Sequence, residues 1–293
     1  MLDFPNAPTV GQVYPSPAVA GVPQWRWDGS EWVPNVVPFT AAPPVVRGHL
    51  HGLTISMTGS SSSFTVAAGI ATDSTFVDTM VLAPAIAKTT GAWAAGTGNG
   101  ALDTGAIANN TWYHVYLIKN PTSGAVDVLI SLAAVTPTLL PTGYTLFRRI
   151  GSMKTNASGQ WYGFLQIGDN FYWTAPVLDF SGVTLTANTP TNRALASVPL
   201  GLSVQPLYQL VLTQAATATS RVRVYSPLLP DNNVVPNYTL GGSLSGPTAL
   251  TLYSEEQNCF TDTSQNLRFW TNDSNLAIAV FTMGWIDTRG RYF

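Results

Sequence analysis

Three histidines, His49, His51 and His114, are the first candidates for chemistry in this chain. His49 and His51 are two residues apart, a spacing that places both rings on one side of a β-strand and that metal sites use. No cysteine or acidic residue lies within a dozen positions of them to complete a ligand set. His114 lies in Trp-Tyr-His-Val-Tyr, and we expect it to face the polar side of its strand. The sequence therefore predicts neither a metal nor a cofactor.

Glycoside hydrolysis would need a pair of carboxylates. The available acids are Glu255-Glu256, Asp169, Asp179, Asp262 and Asp287. None of them lies in a motif that distinguishes a catalytic acid from a turn residue, and no Gly-x-Ser-x-Gly nucleophile elbow occurs. The sequence therefore predicts no catalytic residue, and we expect a protein that is not an enzyme.

Aromatic residues are the remaining candidates for a binding site. They form the clusters Trp161-Tyr162, Phe171-Tyr-Trp173 and Phe269-Trp270. Such rings could stack on sugars, with Trp173 and Trp270 as the candidate glycan contacts. The alternative is that all of them belong to the core of a β-domain, since large aromatic side chains dominate core packing.

Charged residues make up only 10% of the 293 residues, against about 25% in an ordinary domain. With 45% hydrophobic residues, this composition is typical of a β-protein in an assembly or of a lectin-like surface. The net charge of −2 argues against nucleic acid as a partner. The longest apolar run, Leu276–Ile286, is too short to span a bilayer. The first residues show no basic region followed by an apolar run, so we expect no signal peptide. We expect synthesis in a cytoplasm, no membrane insertion and a buried Cys259.

Residues 1–44 are rich in proline, which predicts an extended arm. Within it, Asp28-Gly29 is typical of a two-residue type I′ turn, so Trp25-Arg-Trp27 should pair with Ser30-Glu-Trp32. Two interpretations of these tryptophans remain open. They pack on the following domain, or they dock into another protein, since tryptophan is frequent in interface hot spots. The candidate partner-binding residues are Phe4, Trp25, Trp27 and Trp32.

The rest of the chain carries short alternating β-runs and no helical periodicity of useful length. Trp112–Lys119 and Val126–Leu132 should form a hairpin, with one face in the core and a mixed opposite face. A change in amino-acid composition near residue 175 predicts two domains, 45–175 and 176–293. The fold class is therefore all-β, with antiparallel sandwich or barrel domains after the arm and its small hairpin.

Several stretches resemble structural proteins of tailed bacteriophages. The first two are Phe4-Pro-Asn-Ala-Pro-Thr-Val-Gly-Gln-Val-Tyr14 and Trp25-Arg-Trp-Asp-Gly-Ser-Glu-Trp32. Asn110-Thr-Trp-Tyr-His-Val-Tyr-Leu-Ile, Asp127-Val, Pro141-Thr-Gly-Tyr-Thr and Arg148-Arg-Ile-Gly-Ser are similar to phage and prophage tail-fibre-like proteins. The resemblance does not extend over 175–293. It implies a virion component that its N-terminal module places on a partner and that is often trimeric.

Three functional hypotheses follow, in decreasing order. The first is a non-enzymatic virion protein, a fibre or fibre-like tail appendage, assembled in the host cytoplasm. Its partners would be other copies of the chain, with a trimer favoured, and other virion proteins bound by residues 1–44. The second is a receptor-binding module for host surface glycan. The third is a depolymerising tailspike.

Overall fold

The computed structural model describes residues 3–19, 22–35, 45–214, 219–230, 243–245, 249–253 and 259–291. These residues form β-strands, turns and loops, which confirms the all-β fold class. No helix that is long and apolar enough to cross a membrane occurs in this part of the chain. The chain divides into two compact units, Met1–Pro44 and Val45–Phe293, each of which is described by itself.

The first unit contains three short strands, β1 (Val13–Tyr14), β2 (Trp25–Trp27) and β3 (Trp32–Pro34). They form one antiparallel sheet in the order β1-β2-β3. The unit is therefore a small sheet, whereas the sequence predicted an extended arm with a hairpin alone.

The turn between β2 and β3 differs from the predicted two-residue turn. Trp27 pairs with Trp32, so four residues, 28–31, connect the strands. Asp28 Oδ1 accepts hydrogen bonds from the backbone N–H groups of Ser30 and Glu31, both at 2.8 Å. A type I′ turn needs a positive φ at both central residues, but here Gly29 has one (116°) and Asp28 does not. The aspartate side chain, by capping these N–H groups, selects the longer loop.

Five aromatic side chains pack against each other within the first unit, and we call them the aromatic cluster: Phe4, Tyr14, Trp25, Trp27 and Trp32. The Phe4 ring stacks on Trp32 at 4.9 Å between centroids, and its edge contacts with Tyr14 and Trp25 are at 5.5 and 5.9 Å. Trp27 meets Trp32 at 5.7 Å. These tryptophans thus find partners inside their own unit, an outcome that neither interpretation of the sequence included.

The second unit contains nineteen strands among its described residues. Their bounds are β4 (Leu50–Gly52), β5 (Ile55–Ser56), β6 (Ser63–Val66), β7 (Gly69–Thr72), β8 (Thr79–Leu82), β9 (Ile86–Ala92), β10 (Gly100–Leu102), β11 (Trp112–Lys119), β12 (Val126–Ser131), β13 (Leu146–Lys154), β14 (Phe164–Ile167), β15 (Asn170–Thr184), β16 (Thr191–Ala194), β17 (Gln205–Gln214), β18 (Thr219–Tyr225), β19 (Ser243–Ser245), β20 (Ala249–Tyr253), β21 (Asn266–Thr271) and β22 (Leu276–Ile286).

Four sheets combine these strands. The largest has the order β13-β11-β12-β10-β9-β6-β5, and the second has the order β14-β15-β22-β17-β20. The two smaller sheets are β16-β21-β18-β19 and β4-β7-β8. Most pairs are antiparallel, as predicted, but β10 runs parallel to both β9 and β12.

The predicted central hairpin is confirmed: β11 and β12 pair from Lys119↔Val126 to His114↔Ser131. The sequence predicted one core face and a mixed opposite face, and the structure buries both faces of these strands. Val128 and Ile130 lie in the main core, while Leu129 packs in a second, smaller cluster with residues such as Tyr116. β11 lies between β12 and β13, which explains why its sequence is almost continuously apolar.

The predicted boundary between domains 45–175 and 176–293 falls inside β15. That strand pairs with β14 before the boundary and with β22 on both sides of it. One hydrophobic core takes side chains from both sides, and Trp112 and Trp285, 5.3 Å apart between ring centroids, meet within it. Residues 45–293 are therefore a single unit, because the sheet β14-β15-β22-β17-β20 and the main core both cross the predicted boundary.

Candidate functional site

The histidine pair does not gather a metal site. His49 and His51 are both exposed, and only His51 lies in a strand. Among the described residues, no group of three or more His, Cys, Asp or Glu side chains is placed to hold a metal ion. Cys259 is buried, as predicted, and burial raises the pKa of its thiol to about 12.

His114 is buried on the polar face of β11 and not exposed there. Its Nδ1 lies 2.9 Å from the Ser152 hydroxyl, and the backbone of Leu200 hydrogen-bonds the ring. Burial, reinforced by the positive charge of Arg149, lowers the pKa of His114 from 6.5 to about 3. The ring is therefore neutral at physiological pH and acts as a structural hydrogen-bonding group.

Trp173, predicted as a glycan contact, belongs to the core instead. It is 8% exposed, and its Nε1 donates to the Ser197 carbonyl at 3.1 Å. Its ring centroid lies 5.1 Å from that of Trp285. A ring enclosed in this way cannot offer a face to a sugar, so the core interpretation is correct for Trp173, whereas its neighbour Tyr172 is exposed.

Trp270 has a different environment. It lies on the outward face of β21, where buried and half-buried residues alternate, and is itself half-buried. The Arg223 guanidinium carbon lies 4.7 Å from the centre of its ring, which is cation–π geometry. This tryptophan keeps part of its surface in contact with solvent.

The acidic residues considered for hydrolysis form ion pairs or accept hydrogen bonds where the structure describes them. Asp287 and Asp169 are ion-paired with arginines. Asp179 accepts hydrogen bonds from the hydroxyls of Ser197 and Thr282, both at 2.6 Å, and burial raises its pKa. Asp262 caps a turn by accepting from backbone N–H groups. Glu255-Glu256 lies outside the described residues.

A cavity of about 950 Å³ lies in the second unit. We call it the arginine-lined cavity, because Arg148, Arg149 and Arg289 all contribute to its wall. The rest of the wall is largely apolar and includes Phe76, Val135, Phe147, Leu202, Phe260 and Ile286. Its volume is in the range of sites that bind small molecules.

A β-bulge in β13 helps to position the arginines. Val115 of β11 pairs with Gly151, but the next residue, Tyr116, pairs with Arg149, so Ile150 is an additional residue. Because side chains alternate along a strand, the bulge puts Arg149 on the same face as Ser152. Strict alternation would have turned Arg149 to the opposite face.

The Arg149 guanidinium forms a two-point ion pair with Asp287, with Nη2 2.8 Å from Oδ1 and Nη1 in close contact with Oδ2. Although burial disfavours both charges, the pairing raises the pKa of Arg149 and lowers that of Asp287. This pair satisfies both partners and forms a fixed part of the cavity wall.

The guanidinium groups of Arg148 and Arg289 are not fully hydrogen-bonded. Arg148 Nη2 donates to the Arg289 carbonyl at 2.9 Å, and Arg289 Nη2 lies 2.7 Å from Asp169 Oδ1. Both side chains are only 4% exposed, yet Arg148 Nε and Arg289 Nη1 are buried without a hydrogen-bond partner. Burial, followed by repulsion from neighbouring guanidinium groups, lowers the pKa of Arg148. Two residues of the cavity wall, Arg148 and Arg289, therefore each have one buried N–H group without a hydrogen-bond partner.

The ionic groups around the cavity leave an excess of positive charge. Arg148, Arg149, Arg289 and Arg291 lie close to three carboxylates, those of Asp73, Asp169 and Asp287. Asp73 is ionised: burial opposes this, but hydrogen bonds from its own loop lower its pKa. A further guanidinium group, that of Arg47, lies 5.1 Å from the centre of the Phe76 ring in the cavity wall. The excess of positive charge favours an anion.

Sequence patterns did not identify this cavity. Arg148-Arg149 belongs to a stretch that resembles tail-fibre-like proteins, and no sequence pattern indicated a role for Arg289. The one available signal was that Asp287 and Arg289 follow the strongly alternating strand β22 directly. The contacts between positions near 148 and near 288 depend on the tertiary fold.

Comparisons with known proteins gave no relative. No protein-family model, no curated protein and no solved structure matches the chain.

Proposed function

We propose that the protein is a non-enzymatic structural component of a bacteriophage virion, a fibre or fibre-like appendage. Residues 1–44 attach it to other virion proteins, and the β-unit of 45–293 projects from the particle. The observation that carries the proposal is that the first unit has its own small sheet and its own aromatic cluster. The side chains of that cluster come from the two stretches that resemble phage virion proteins.

The first unit has the properties of an anchor. Phe4, Trp25, Trp27 and Trp32 are half-buried in the aromatic cluster, so each leaves part of its surface uncovered. Aromatic rings held rigidly by one another lose little conformational entropy on binding, which is a reason for their frequency in hot spots. These four residues are therefore the proposed contacts with another virion protein.

An exposed apolar patch on the second unit supports self-association. Leu165 and Ile167 of β14 are 57% and 58% exposed, and Tyr172 of β15 pairs with Leu165 on the same outward face. We call these three residues the outer patch. Contiguous apolar surface of this kind is typical of protein–protein contacts. A homotrimer, the favoured state, would cover it with another copy of the chain.

Cryo-EM and mass spectrometry of purified phage particles test the virion assignment. The expected result is that the chain is present in stoichiometric amounts and that density for 45–293 extends from the surface. Absence from purified particles would contradict the proposal, and so would release of reducing sugar from host polysaccharide by the purified protein.

Variants test the roles of the two surfaces. Trp27→Ala should reduce incorporation into particles, whereas Val77→Ala, at an exposed position of the second unit, should not. Ile167→Glu should convert the purified oligomer into monomers in light scattering, while Ile167→Leu keeps the assembly. A wild-type chain that is monomeric at micromolar concentration would rule out the homo-oligomer.

A second candidate is a receptor-binding module for host surface carbohydrate. The observation that favours it is the half-buried Trp270 ring with the Arg223 guanidinium over it. A glycan array with wild-type protein and Trp270→Ala tests this candidate. Glycan binding that disappears in the variant, with unchanged thermal unfolding, would support it. Equal signals from both proteins would exclude Trp270 as the contact.

A further inference from the structure

We infer that the arginine-lined cavity binds a small carboxylate that is carried on an apolar body. The site is separate from the anchor and the outer patch, and nothing in the proposed virion role requires it. Its charged end is Arg148 and Arg289, and its apolar end is the wall that contains Phe147, Leu202 and Phe260.

The unsatisfied donors indicate that the ligand is an acceptor. A buried N–H without a partner costs about 1–3 kcal/mol, and more when the group is charged. Arg148 Nε and Arg289 Nη1 are two such groups, and both belong to residues that line the same cavity. Arg149 is already fully engaged by Asp287, so it holds the wall in place and leaves the other two guanidinium groups for a ligand.

The charge balance indicates an anion. The surrounding ionic groups have positive charge in excess, and a carboxylate reduces this excess. A carboxylate also has two oxygens that can accept hydrogen bonds, and guanidinium groups recognise it well.

The walls indicate an apolar body. Most of the remaining wall is made of aromatic and aliphatic side chains, with Leu228 and Leu229 also exposed to solvent. Sites of this kind combine apolar walls with a few polar groups that fix the orientation of the ligand. The carboxylate would lie against Arg148 and Arg289, and the apolar part against Phe147 and its neighbours.

Isothermal titration calorimetry on the full chain with octanoate, octanamide and octyl phosphate tests the inference. Octanoate should bind, and octanamide, which has the same chain and no charge, should bind at least about tenfold more weakly. If octanoate does not bind, or if octanamide binds equally well, the inference is overturned. Octyl phosphate that binds more than about tenfold tighter than octanoate would overturn the assignment of a carboxylate.

Variants at the cavity wall locate the binding site. Leu229 is 58% exposed, so Leu229→Glu and Leu229→Gln should both fold, and they differ in charge alone. Leu229→Glu should weaken octanoate by about fivefold or more relative to Leu229→Gln, because a carboxylate now repels the ligand. Leu178→Glu, an exposed position outside the cavity, is the control for a remote charge and should bind like wild type. Equal octanoate affinity in the Glu and Gln variants would place the binding elsewhere.

Arg148→Met removes one of the two donors directly. Octanoate affinity should fall by about tenfold or more, and octanamide affinity should change little. Because Arg148 also holds the Arg289 carbonyl, this variant could unfold. In that case the Leu229 pair decides the question, and its outcome does not depend on whether the protein is found in virions.

Discussion

Lys88 Nζ lies 3.0 Å from Asp127 Oδ1, and both side chains are enclosed, with 0% and 3% of their surfaces exposed. The ammonium group also donates to the Ala94 carbonyl at 2.7 Å, and Asp127 Oδ2 accepts the Gly96 N–H at 2.8 Å. Burial lowers the pKa of Lys88, while Asp127 opposes this effect. The ion pair thus connects β9 and β12 and holds the loop at 94–96 over them.

Removing one partner of this pair should destabilise the fold strongly. Lys88→Met leaves the Asp127 carboxylate buried without a cation, at a cost of about 3–5 kcal/mol in the free energy of unfolding. Lys88→Met with Asp127→Leu should recover most of the loss, because no charge then remains buried. Urea unfolding followed by tryptophan fluorescence measures both values. If Lys88→Met were as stable as wild type, the ion pair would not contribute this free energy to the stability of the fold.

His114 should make stability depend on pH in the acidic range. Its pKa is 6.5 ordinarily and about 3 in the folded protein, so the unfolded chain takes up the proton first as the pH falls. The free energy of unfolding should therefore decrease between pH 6.5 and about 3, by up to about 1.4 kcal/mol per pH unit. Above pH 6.5 this residue should contribute no pH dependence.

His114→Gln isolates that contribution. Comparing denaturant unfolding of the variant and the wild type at pH 7, 6, 5 and 4, the variant should have a smaller slope of stability against pH. His51→Gln is the control, because that ring is exposed in the folded protein. Identical slopes in wild type and His114→Gln would contradict the buried neutral histidine.

Replacing each of the two tryptophans that were predicted as glycan contacts, Trp173 and Trp270, should reduce the stability of the fold by different amounts. Trp173→Ala should cost about 3–5 kcal/mol, because it opens a cavity among Trp112, Phe164 and Trp285. Trp270→Ala should cost less than about 2 kcal/mol, since its ring is half-buried. Thermal unfolding measures both. Equal costs would indicate that Trp270 is as deeply packed as Trp173.

Phe4 should be essential to the first unit. Its ring contacts Tyr14, Trp25 and Trp32, so Phe4→Ala removes the centre of the aromatic cluster. A small three-stranded sheet has little other core, and the unit should lose its structure while residues 45–293 stay folded. NMR of the indole N–H groups would show loss of dispersion for the tryptophans of the first unit alone. Val19→Ala, at an exposed position, is the control and should leave the spectrum unchanged.

Local patterns were sufficient for much of the fold. The hairpin of β11 and β12 follows from alternation and turn residues, and the structure contains it. Whether a segment forms a strand depends mainly on its own residues, which explains why the hairpin could be predicted from the sequence.

The predictions that failed concern which residues cover each face of a strand and how distant segments pack together. The face of β12 that was predicted to be mixed is buried, and Asp127 is neutralised there by Lys88, from a strand about forty positions earlier in the chain. The boundary near 175 failed because composition changes within β15 while its pairing with β22 continues. The arginine-lined cavity depends on the bulge at Ile150 and on contacts between distant segments. None of these features leaves a periodic signal.

The Arg149–Asp287 pair joins residues 138 positions apart, and β22, which leads to Asp287, is the central strand of its sheet. On the ribosome, a nascent chain that has reached β15 contains both arginines of β13 but none of the segment that closes over them. The edge of β15 that pairs with β22 then stays unpaired until β22 emerges, and such an unpaired edge favours aggregation. Productive folding of residues 45–293 therefore waits for translation to pass residue 287, and slow synthesis or truncation before that point should send the chain to chaperones or proteases.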